Sequence, residues 1–236
     1  MEYLPHLERV LAVYSEGANL EAVMEARTRF SDLAGRWSED DPWHETWSRL
    51  FLDWFGFDVP VPPWKSPVHR FVSERWVELD AEGILPVFRG LLATHRSVFE
   101  VLGRSRGTLG LADLVGGGLF RVEQPYPVAG YQSGDVIDAR IIPVLGTLTL
   151  GPGVICHPEG AVPLIHDLLG HLRSQGLLGW NVVHLLARMN LQHLQGPACG
   201  SRLGHAGQLA LDMGEMLGHL AVIRPRRARR NQEQRG

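Results

Sequence analysis

The sequence is poor in sulfur and almost without lysine. Its two cysteines, Cys156 and Cys199, are too few for a disulfide framework or a four-cysteine zinc site. A reducing compartment, the cytoplasm, is the setting this predicts. Lys65 is the one lysine among 23 basic residues. We read this preference for arginine as a habit of a GC-rich genome rather than as selection for guanidinium chemistry. Runs of about 18 apolar residues are also missing, so no membrane-spanning helix is expected. The opening MEYLPHLERV carries Glu2, His6, Glu8 and Arg9 in place of an apolar secretory core. There is no repeat of solenoid length. A G-x-S-x-G elbow is absent, and VGGGLF lacks the Lys-Ser/Thr of a phosphate loop, so it reads as a hairpin turn.

What is present suffices for a sizeable core, since 44% of the 236 residues are hydrophobic. The net charge of −3 is unevenly spread. Residues 224–236 hold six arginines and one glutamate, +5, which leaves −8 on residues 1–223. An acidic body of this kind is not a generally basic nucleic-acid binder. The tail 223–236 is expected to be disordered. Its Arg224, Arg226, Arg227, Arg229 and Arg230 form the segment through which nucleic acid or an acidic partner would be held.

Apolar spacing divides the chain into four regions. Residues 1–96 read as helical. The clearest helix is DPWHETWSRLFLDWFGFD, with Asp41 as N-cap and Pro42 in the first position. Trp43, Trp47, Leu50, Phe51 and Trp54 form its apolar stripe, with His44, Glu45, Ser48 and Arg49 opposite. Ser66 is expected to cap a helix opened by Pro67. Asp80 is expected to cap another, which would kink near Pro86. Residues 97–156 switch to short β-rich runs separated by glycine turns, which predicts a small antiparallel barrel or twisted sheet. In one of them Ile137, Ala139 and Ile141 alternate with Asp138 and Arg140, the pattern of a half-buried strand. Residues 157–222 return to helix. The fold class expected is therefore α+β: N-terminal helices, a β-rich middle and C-terminal helices.

The main candidate for chemistry is IHDLLGHL, residues 165–172. Ile165, Leu168, Leu169 and Leu172 form an apolar stripe, and Asp167 and His171 stand one turn apart. His166 and His171 are five residues apart, about 140° around an ideal helix, whereas helical histidine clamps use a spacing of four. Seven histidines fall between residues 157 and 219. Cys156 precedes His157, but neighbours on a strand point to opposite faces, so the pair forms no thiolate–imidazole couple, and Cys156 reads as a buried thiol.

HDLLGH resembles the H-E-L-L-G-H motif of the aromatic amino acid hydroxylases. In that family both histidines bind non-haem iron and a carboxylate completes the triad. The resemblance covers six residues and has Asp167 where the family has Glu. It implies His166 and His171 as ligands of iron or zinc, with Asp212 or Glu215 as the third. Separately, FLDWFGFD, SVFEVL and GDVIDARIIPV together resemble a group of uncharacterised bacterial proteins, some of which carry a SEC-C zinc motif. This resemblance spans about residues 45–160 and implies shared architecture with no assigned activity. ACGSRLGH around Cys199 has a single cysteine where a SEC-C motif needs several.

On this reading the chain is a cytoplasmic regulatory or protein-interaction protein of bacterial type. It has no catalytic residues, no cofactor, an unidentified protein partner and no membrane association. Two alternatives stand beside it. One is a metal-dependent enzyme using His166, His171 and an acidic ligand. The other is nucleic-acid binding through the tail.

Overall fold

The structure, a computed structural model, describes residues 3–14, 17, 19–105, 107–123, 130–179 and 181–195. The chain divides into a unit of Met1–Gln192 and a second of His193–Gly236, of which only residues 193–195 are described. The Arg-rich tail, Asp212, Glu215 and the helix expected near residues 207–223 lie outside the described residues.

Five helices come first: α1 (Leu4–Ala12), α2 (Asn19–Ala34), α3 (His44–Asp58), α4 (Pro67–Ala81) and α5 (Leu85–Leu92). Six strands follow: β1 (His95–Ser105), β2 (Thr108–Asp113), β3 (Leu119–Glu123), β4 (Val136–Val144), β5 (Thr147–Leu150) and β6 (Ile155–Cys156). A 3-10 turn at Glu159–Ala161 leads into α6 (Val162–Ser174), and α7 (Asn181–Gln195) completes the described chain. The class is α+β, as the sequence pattern predicts.

Several element ends differ from expectation. The α3 helix starts at His44, not at Pro42, because the Asp41 carboxylate is spent on a turn, accepting from the Ser38 amide at 2.7 Å. The Ser66 cap is found, with its hydroxyl accepting from the His69 amide at 3.3 Å. Asp80 is not a cap, since α4 runs through it to Ala81. Pro86 opens α5 rather than kinking a longer helix, in the first turn where its missing N–H costs nothing.

The strand pairings form a ring. β1 pairs with β2, β2 with β3, β5 with β4, and β4 returns to β1, all antiparallel. The remaining link, β3 to β5, is parallel, through Glu123 and Thr149. The sheet is therefore mixed, where the sequence pattern predicts antiparallel pairing only. Five strands closed in a ring cannot alternate in direction all the way round, so one link has to be parallel. Inside the ring Phe99, Val101, Leu109, Leu111, Val122, Ile137, Ala139 and Ile141 form one core. At 25 cal/mol per Å2 each of these side chains larger than alanine contributes about 1.5–3 kcal/mol on burial.

Both β5 and β6 run along the same side of β4. They amount to one strand interrupted by Gly151–Pro152–Gly153–Val154. The Gly151 amide still donates to the Arg140 carbonyl at 2.7 Å. Gly153 presses on α3 so closely that an added Cβ would lie 2.9 Å from the Leu50 Cα.

The helices cover the outside of β4 in two patches. The stripe of α3, with Phe30 of α2 and Leu191 of α7, makes an aromatic core around Trp47, Phe51 and Trp54. Helices α1, α4 and α5 pack Leu7, Phe71 and Phe88 onto Ile142 and Val144. At Gly90 α5 approaches β4 so closely that a Cβ there would meet the Pro143 carbonyl oxygen at 1.9 Å. Thus β4 is not half-buried. Eight of its nine residues are buried, Asp138 and Arg140 among them, because helices lie over the face that alternation assigns to water.

Candidate functional site

The polar face of β4 meets the polar residues of α3. Arg140 donates through Nε to Asp53 at 2.9 Å and through Nη2 to Asp58 at 2.5 Å, and its Nη1 donates to the Thr94 hydroxyl at 3.1 Å. Its guanidinium also lies 4.5 Å from the Phe57 ring centroid. Arg96 of β1 donates to both oxygens of Asp138, at 3.3 and 3.1 Å. Three carboxylates thus share two guanidiniums in a site closed to water, apart from the part-exposed Asp58.

Burial pushes Asp53 up, and Arg140 and Arg96 only partly oppose it. Burial likewise pushes Asp138 up against the pull of Arg96. Burial works against the charge of Arg96, but Asp138 and Asp53 more than offset it and its pKa is raised. Nearby, burial with the two arginines pushes His184 of α7 down to about 3, and its ring stands edge-on to Phe30 and Trp54. The network ties α3 to the strand ring. Its shifted groups face each other and not an opening.

A second polar cluster sits at the end of β2. Asp113 accepts from the Ser97 hydroxyl at 2.5 Å, from the Val115 and Gly116 amides at 2.9 Å each, and from His95 Nε2 at 2.8 Å. Burial alone would raise its pKa, but these donors, Ser97 first, bring it below the ordinary value. The carboxylate stands between serine and histidine, so the serine proton has no path to the imidazole. This order secures the glycine turn and is not that of a nucleophilic triad.

IHDLLGHL lies on α6 with its apolar stripe inward. Ile165, Leu168, Leu169 and Leu172 are buried, and His166, Asp167 and His171 are exposed. His166 Nε2 stands 3.7 Å from Glu100 of β1. Among the described residues no group of three or more His, Cys, Asp or Glu side chains is placed to hold a metal ion. Cys156 and His157 point to opposite faces as expected, but Cys156 is the exposed one. It belongs to the two-residue β6, which covers β4 on one side only. Burial beside Asp135 still raises its thiol pKa. Buried His157 is pushed down to about 4 by burial.

A cleft of about 620 Å3 opens between α1, α3 and the β5–β6 connector. From α1 come Leu4, Leu7, Glu8 and Leu11, and from α3 Thr46, Arg49 and Leu52. Leu150, Gly151, Pro152 and Val154 form its floor, with Tyr131 at one end. Leu7 and Leu11 also converge on Gly56 of α3, each 3.6 Å from where its Cβ would be, so the two helices close there. The Tyr3 hydroxyl donates to the Leu150 carbonyl at 2.9 Å and pins α1 to the connector. Burial pushes Tyr131 up to about 12, so its phenol keeps its proton at neutral pH. No single segment carries the signal for this cleft.

No family model matches the chain, and neither a curated protein nor a solved structure matches it. No helix among the described residues is long and apolar enough to cross a membrane.

Proposed function

We propose that this chain is a non-catalytic interaction protein that receives a segment of another protein in the cleft between α1, α3 and the β5–β6 connector. The observation that carries the reading is the cleft itself. Its volume falls within the roughly 300–1,000 Å3 of preformed binding sites. Its walls are mainly leucine, valine and proline, with a few polar groups at the edge, the composition of the core and rim of an interface. Asp53, Asp138, His157 and His184 are buried elsewhere, and the strongly shifted group in the cleft is Tyr131, whose phenol stays protonated. Within the cleft the polar side chains are Glu8, Thr46, Arg49 and the tyrosines, which supply contacts and no nucleophile–base pair. A bacterial origin accords with the SEC-C-associated pattern, and a cytoplasmic setting with the scarcity of cysteine.

The reading is tested by placing a photo-reactive amino acid at Leu52, which lines the cleft and is 39% exposed. Irradiation of cells making this variant is expected to give discrete protein adducts. The same residue at Val77, exposed on α4 and away from the cleft, is expected to give none of them. An identical adduct pattern at the two positions, or none at Leu52, would sink the proposal.

A further inference from the structure

The geometry points to an amphipathic helix with a basic residue beside its apolar stripe as the partner segment that enters the cleft. This rests on the interaction reading above and adds the form and charge of the occupant.

Three observations carry it. First, three of the floor's backbone positions are closed to strand addition. The Gly151 amide is bonded to the Arg140 carbonyl, the Leu150 carbonyl accepts from Tyr3, and Pro152 has no N–H. An extended peptide bound against these positions would leave its facing amides and carbonyls without partners, a cost of about 1–3 kcal/mol for each that is buried. A helix arrives with its backbone already satisfied.

Second, the walls are two helical ridges. Leu4, Leu7, Glu8 and Leu11 lie at i, i+3, i+4 and i+7 on α1, and Thr46, Arg49 and Leu52 lie at intervals of three on α3. Ridges at these spacings leave grooves that accept the ridge of a third helix. The helices converge at Gly56 and the space opens towards Thr46.

Third, the charge at the rim is one-sided. Arg49 is paired with Glu45, one turn earlier on α3. Glu8 is exposed and has no ion-pair partner among the described residues. A lysine or arginine beside the apolar stripe of the incoming helix would meet it. The −8 carried by residues 1–223 favours the approach of a basic segment.

The test uses the full chain and two fluorescein-labelled synthetic peptides of equal net charge, read by fluorescence polarisation. One is a hydrocarbon-locked Leu/Ala/Lys amphipathic helix; the other is an alternating Val/Thr/Lys extended peptide. The helix is expected to bind at least tenfold more tightly. Leu52→Arg is expected to weaken it tenfold or more and Glu8→Lys a few-fold. Both substitutions are at exposed positions and should leave the thermal midpoint unchanged. Equal binding of the two peptides, no binding of the helix, or helix binding indifferent to both substitutions overturns the inference. If specific adducts at Leu52 persist in any of those cases, the interaction reading survives and only the helix is lost. If the adducts are absent too, both fall.

Discussion

Arg140 and Asp53, 87 residues apart, are joined by a 2.9 Å hydrogen bond at the point where α3 lies on β4. Both side chains are almost wholly hidden from water. Neither charge is stable there without the other, because an isolated buried ion loses its hydration with no return.

Removing Arg140 should therefore cost more than removing a surface ion pair. Arg140→Met leaves Asp53 and Asp58 only the longer contacts with Arg96, 3.7 and 3.9 Å, and we expect a loss of about 3–5 kcal/mol. Arg49→Met, which breaks the exposed pair with Glu45, should change stability by at most about 0.5 kcal/mol. Urea denaturation of the two variants beside the parent checks both values. Equal midpoints would mean that the network contributes nothing.

His157 and His184 should make the fold acid-sensitive. Burial holds them at about 4 and about 3, below the ordinary 6.5. The native imidazoles stay neutral while the unfolded chain takes up protons, so their stabilisation is complete above pH 6.5. It falls as pH drops towards the native values. Asp53 and Asp138 act with the opposite sign, since their raised values favour the native state at low pH and oppose it as pH rises above 3.8. In His157→Gln the titrating ring is gone. The difference in unfolding free energy between pH 7 and 4.5 should become less unfavourable to acid by about 2–3 kcal/mol. Superimposable pH profiles for parent and variant would show that His157 is not held neutral.

Two glycines in helices should respond to alanine with opposite signs. At Gly90 the new methyl would overlap the Pro143 carbonyl and force α5 off β4. A loss of about 3 kcal/mol or more, or failure to fold, is expected. At Gly170 of α6 the added carbon meets nothing within 4 Å, and the helix gains about 1 kcal/mol from alanine's higher propensity. Thermal unfolding of the two single variants separates the cases.

The exposed His166 and His171 bear on the iron or zinc alternative. Because neither ring is packed, the double variant His166→Ala, His171→Ala should keep the parent's stability within about 0.5 kcal/mol. Metal analysis of both purified full-length proteins is the decisive measurement. A stoichiometric metal in the parent that vanishes from the double variant would support the enzyme reading.

Much of the fold was legible because periodicity reports burial. The stripe of α3, the leucine face of α6 and the glycine turn at 116–118 follow from local spacing alone. The alternation in β4 misled because it reports only that one face is polar. Whether that face meets water or a helix depends on residues some 80 positions earlier. A usable signal lay in FLDWFGFD, where Asp53 interrupts an otherwise apolar stripe and so requires a buried cation. Arg140, flanked by alanine and isoleucine, was its counterpart. FLDWFGFD and GDVIDARIIPV are thus joined in space by charges, although most of their residues are hydrophobic. The cleft was illegible for another reason: its walls come from residues 3–11, 46–52, 131 and 150–154, and no local pattern links them.

The bond from Tyr3 to Leu150 spans 147 positions. During synthesis the first helices emerge long before the strand ring that receives them. At about 5–20 residues per second, α1 waits on the order of ten seconds or more for its anchor. Through that interval the leucines that later line the cleft have only the neighbouring helices to rest on. A chaperone that shields such surfaces therefore meets α1 before the strand ring exists.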